Sequence, residues 1–146
     1  MAANPWKKYN RFPFRTAGKN INFATDTFKM ALFTSSSNAN DPTQTTYSGL
    51  SNELATANGY TVGGVTLASV SLTQVGPTVT WKTGNGAWTA AGGSIVCRYA
   101  VIYDSTTGDA ICWALLDNTP ADVTTTSGNT LTVQIDTNGV FTISGM

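Results

Sequence analysis

The stretch ELATANGYTVGGVTL, residues 53–67, holds the chain's only glutamate, an Asn-Gly pair, a Gly-Gly pair and a run in which apolar and polar residues alternate. A phosphate loop of the Walker type follows its glycine with Lys and Ser or Thr and enters a helix. A dinucleotide fingerprint also runs from strand into helix. Here Gly63-Gly64 is followed by Val65 and enters a run with the period of a strand. The stretch therefore reads as a corner, not a ligand cradle. A short helix over SGLSNELATAN, capped by Ser48, stops at Asn58-Gly59 and hands the chain to a strand.

On either side of this corner the chain is β in character. FKMALF alternates its side chains, and VTLASVSLTQV alternates strictly, as one strand would. SIVCRYAVIYD is apolar on nearly both faces, which predicts a central strand. STTG turns it into DAICWALLD, and TLTVQIDTNGVFTIS reads as a hairpin turning on Asp136, Asn138 and Gly139. The expected fold class is all-β, a β-sandwich or jelly roll with one short helix and an extended N-terminal arm. The arm spans residues 1–20 and the body 21–146.

Composition agrees with that reading. Only 11% of the 146 residues are charged, against about 25% in ordinary soluble proteins. A surface so poor in charge is weakly protected against association, which predicts a homo-oligomer, a dimer or trimer. The net charge of zero conceals a segregation: Lys7, Lys8, Arg11, Arg15 and Lys19 all precede the first acid, Asp26. No run of about 18 apolar residues and no signal-like segment occurs, so the expectation is a soluble protein made in the cytosol.

In the arm, Trp6, Tyr9, Phe12 and Phe14 alternate with the basic residues, while Pro5 and Pro13 argue against regular structure. Basic-plus-aromatic segments stack nucleic acid bases, but the acidic body would repel phosphates. Docking on an acidic protein surface is the simpler reading. Trp6, Lys7, Lys8, Tyr9, Arg11, Phe12, Phe14 and Arg15 are the candidate partner-binding residues, the aromatics as anchors and the charges setting register.

Catalytic chemistry finds little footing. The chain has no histidine, the commonest general base and metal ligand. DTNG at 136–139 and DSTTGD at 104–109 read as turns, the first lacking the glutamate that closes a calcium loop. With a turn centred on Thr106-Thr107, Cys112 faces Val101 and lies about 13 Å along the sheet from Cys97, too far for a disulfide. Trp81, Trp88 and Trp113 are either core residues or a sugar-stacking platform. No enzyme, metal or cofactor is expected.

FKMALFTSS, YSGLSNELATANGYTVGGVTL, AWTAAGGSIVCRYAVIYD and CWALLD, in that order, resemble a family of small virion proteins of tailed bacteriophages. The likeness covers about residues 27–117. It implies a capsid decoration or cement protein, located on the capsid surface of the virion and binding the major capsid protein, with no catalytic residues. A tail or head-to-tail connector component is the alternative within the virion. A receptor- or glycan-binding module is the alternative outside that class.

Overall fold

A computed structural model describes residues 5–144. The protein is all-β, as its sequence predicts, with a single six-residue helix. Its frame is an antiparallel five-stranded sheet in the order β1-β9-β8-β2-β3. These strands are β1 (Lys7–Lys8), β9 (Ala110–Leu115), β8 (Tyr99–Asp104), β2 (Phe28–Phe33) and β3 (Val65–Thr66). β8 is central and buried along its whole length, which explains its apolar residues on both faces.

One face of this sheet carries Phe28, Met30, Leu32, Ala100 and Ile102 into the main core. Opposite them pack residues of three smaller sheets. β7 (Ile95–Cys97) pairs with β10 (Val123–Thr125), and β6 (Gly86–Thr89) pairs with β11 (Thr130–Val133). β5 (Thr78–Lys82) lies between β12 (Phe141–Ser144) and β4 (Ser71–Val75). The other face, with Ala31, Phe33, Val101 and Trp113, is covered by Tyr9, Ala39, Tyr47 and Leu50 from loops. The arrangement is sandwich-like, with two apolar layers on one sheet.

The corner at 53–64 is present, but the helix before it is not. Only Tyr47–Gly49 forms a 3-10 turn. Asn52 and Leu54 instead use their backbones along the end of β2: Thr34 donates to the Asn52 carbonyl and Leu54 to the Leu32 carbonyl, both at 3.0 Å. The Glu53 carboxylate accepts from the Tyr47 hydroxyl, from the Tyr60 hydroxyl at 2.6 Å and from the Gly63 N–H at 2.7 Å. Tyr103 donates to the Gly63 carbonyl at 2.7 Å and stacks on Tyr47. The lone glutamate thus ties the corner to the sheet, and long-range bonds outweigh a weak local helical preference.

Three other expectations are corrected. VTLASVSLTQV is two strands: Ser69 adopts φ 53° and swings the chain from β3 in the large sheet to β4 in the three-stranded one. The turn at Asp136–Gly139 closes, with the Gly139 N–H donating to the Asp136 carbonyl at 2.9 Å, but β11 and β12 diverge into different sheets instead of forming a hairpin. In the β8–β9 pair Tyr103 faces Ala110, yet Cys112 faces Ile102, not Val101, because a bulge inserts Ile111. That slip moves Cys112 to the main-core face.

Candidate functional site

The arm is folded onto its own body. β1 adds Lys7 and Lys8 to the edge of β9, opposite Trp113 and Cys112. Tyr9 is 1% exposed and donates to the Ala39 carbonyl at 2.7 Å. α1 (Phe12–Ala17) follows, with Pro13 in its first turn, where a proline initiates a helix instead of breaking one. Phe12 is 4% exposed and packs edge-on to Phe141 and tilted to Phe23, and Trp6 packs half-buried on the same cluster.

Three of the basic residues are engaged in the same way. Arg15 pairs with Asp109 at 2.8 Å, Lys7 lies 5.0 Å over the Trp113 ring, and Lys8 lies 5.4 Å over Phe12. The acidic surface that complements the arm includes this molecule's own Asp109. Of the eight candidates, Phe14, 72% exposed, is the aromatic left on the surface, and Arg11 has no ion-pair partner among the described residues. The expectation of an extended arm carrying free aromatic anchors is therefore corrected. Residues 1–4 of that arm lie outside the described residues.

Trp81, Trp88 and Trp113 are all buried, so none offers a ring face to a sugar. A depression of about 810 Å³ opens between Trp6 and the β11–β12 connection. Its one titratable lining residue among the described residues, Asp136, accepts from the Asn138 N–H at 2.8 Å as part of the turn. No group of three acidic, Cys or His side chains suited to a metal occurs among the described residues. No helix among them is long and apolar enough to cross a membrane.

Cys97 and Cys112 are free and buried. Burial pushes the Cys97 thiol up to about 12 and raises Cys112 as well, so neither supplies a thiolate at neutral pH. Alkylation of the native protein should leave both unmodified, whereas denaturing, non-reducing alkylation should modify both, read by mass spectrometry.

Asp104, wholly buried at the end of β8, is the unusual ionisable group. Its Oδ1 accepts from the N–H groups of Thr106 at 2.8 Å and Thr107 at 3.3 Å, while its Oδ2 has no partner. Burial, and then the neighbouring Asp26 carboxyl, raise its pKa above the usual carboxylate range. The folded state thus holds a proton that the unfolded state releases at lower pH. The resulting stability is complete below the unfolded pKa and is lost as pH rises through the folded one. Asp104→Asn keeps the accepting oxygen and offers Asp26 a donor. At neutral pH it should be more stable than wild type by about 1 kcal/mol or more, and the advantage should vanish in acid. Denaturant melts at the two pH values measure this.

The surface feature that stands apart is the three-stranded sheet. Register places Leu72, Trp81 and Phe141 across one face, followed by Gln74, Val79 and Ile143 on the same face. Trp81 is buried and Phe141 packs on the core, but Leu72 and Ile143 are 45% and 41% exposed. The apolar face of this sheet runs off the body and overhangs solvent. β4 is exposed at every position, and Val75 at its tip is 80% exposed. Sequence alternation marked these residues as strand, but it could not show that the body ends beneath them.

Comparison with family models, curated proteins and solved structures finds no match to this chain.

Proposed function

We propose that this protein is a non-enzymatic structural component of a tailed-phage virion, a decoration protein that binds the outer capsid surface and strengthens the joints between major capsid subunits. The motif resemblance supplies the virion reading. The observation that carries the binding role is the overhang: Leu72, Val79 and Ile143 continue a core-forming face into solvent on a chain with only 11% charged residues. An exposed apolar patch of this kind is the usual mark of a protein-binding surface. Burying it across a joint between subunits adds to the cost of parting them, and repetition over a shell turns modest contacts into avidity.

The arm contributes by bracing the body, not by reaching for a partner. Phe14 is its remaining outward aromatic, and Lys7, Lys8 and Lys19 also face solvent. A connector role within the same virion class predicts about a dozen copies or fewer per particle, and decoration predicts hundreds. An imaging reconstruction of the particle that carries this chain separates the two. Density for the protein over the outer shell supports decoration, and density confined to one vertex overturns it.

A further inference from the structure

We infer that β4 is a self-pairing edge: two copies of this chain join antiparallel through Ser71–Val75 about a two-fold axis at Thr73, extending the three-stranded sheet to six strands.

β4 pairs with β5 on one side and has no strand on the other among the described residues. Natural edge strands are blunted by charge, proline, a bulge or brevity. β1 carries Lys7 and Lys8, and β3 has only two residues. β4 is five residues long, SLTQV, with no charge, no proline and an unbroken register from Ser71↔Lys82 to Val75↔Thr78. None of the usual guards is present.

The turn fixes which backbone groups are free. Gly76-Pro77 joins β4 to β5, with Gly76 at φ 57°, and a two-residue turn closes on a hydrogen-bonded pair, here Val75 and Thr78. Alternation then points the N–H and C=O groups of Ser71, Thr73 and Val75 at β5, and those of Leu72 and Gln74 at the open edge. A second β4 centred on Thr73 meets these groups in kind. Leu72 exchanges hydrogen bonds with Gln74 of the second copy, and Gln74 with Leu72 of the second copy. Thr73 then faces Thr73 of the second copy in a non-hydrogen-bonded pair, where side chains come closest.

Electrostatics leaves the edge open to a second copy. The only charge in the three-stranded sheet is Lys82, opposite Ser71. In the paired sheet the two Lys82 residues sit at opposite ends, so no like charges meet. Pairing also brings the two overhangs onto one face, with Leu72 of each copy beside Gln74 of the other. One five-residue edge is small beside the roughly 1,600 Å² of a standard interface, so the isolated dimer should be weak and concentration-dependent. This pairing stands independently of the capsid reading.

The test is a charge swap read by sedimentation equilibrium over a concentration series. Wild type should pass from monomer to dimer. Thr73→Lys and Thr73→Glu, exposed changes that leave the hairpin's own bonds intact, should each weaken dimerisation at least about tenfold by placing like charges face to face. An equimolar mixture of the two variants should dimerise again. Wild type that stays monomeric throughout, single variants that dimerise like wild type, or a mixture that fails to recover would each overturn the pairing. Circular dichroism melts confirm that both variants fold. Capsid binding by a protein that never self-pairs would leave the proposed function standing and this inference refuted.

Discussion

Phe12→Ala should destabilise the protein by about 3–5 kcal/mol, and deletion of residues 2–16 should leave no folded body at all. Phe12 is 4% exposed and sits among Phe23, Phe141 and the Lys8 ammonium. Removing its ring leaves a cavity that the surrounding aromatics, held by Trp81 and Phe28, can only partly close. The deletion removes more. It strips β1 from β9, withdraws Tyr9 from the second core layer and leaves Asp109 buried without Arg15. A domain with about 5–15 kcal/mol of total stability does not survive the sum. Phe14→Ala, at a surface position two residues along, should change stability by about 0.5 kcal/mol at most. Urea melts of the two point variants, and circular dichroism of the deletion, measure these effects. A deletion that folds would restore the arm as an independent appendage.

Gly64→Ala should be the most damaging of the glycine changes at the corner, about 4 kcal/mol or more. Gly64 has φ +72°, and an added Cβ would stand 1.8 Å from the Met30 carbonyl oxygen, inside the central sheet's backbone. Neither the main chain of β2 nor the left-handed conformation can yield cheaply. Gly63 makes the comparison clean. Its φ is +97°, but the nearest atom to an added Cβ is the Tyr103 hydroxyl at 3.6 Å. Gly63→Ala should therefore cost only the backbone term, about 1–2 kcal/mol. Equal costs at the two sites, measured by denaturant melts, would mean that the corner does not seat against β2 as described.

The two glycines also show how much the sequence discloses. Gly63-Gly64 entering an alternating run is enough to identify a corner and to dismiss a phosphate loop. The doubly apolar SIVCRYAVIYD is enough to place a central strand, though Arg98 breaks it into β7 and β8. What escapes is whatever depends on distant partners. Pro13 looked like a breaker because its role as a helix initiator depends on where the helix begins. The arm's aromatics looked unburied because nothing local reveals that Phe23 and Phe141 wait beneath Phe12. The charge segregation between arm and body was legible, but it records an internal docking of Arg15 on Asp109, not an external one. Ile111 is indistinguishable from a regular strand residue until its pairing is seen, so the bulge and the face of Cys112 were hidden. The overhang is a property of where the body stops, which no periodicity encodes.

The central claim is that this chain binds capsids through its overhanging sheet. The most direct measurement is occupancy of purified capsids, lacking this protein, by wild type and by the Leu72→Asp/Ile143→Asp double variant, after melts show both to be folded. Wild type should saturate the capsids and raise their melting temperature, and the double variant should bind at least about tenfold more weakly, with no such rise. Equal occupancy by the two proteins would remove the overhang from the interface, and no binding by wild type would contradict the account itself.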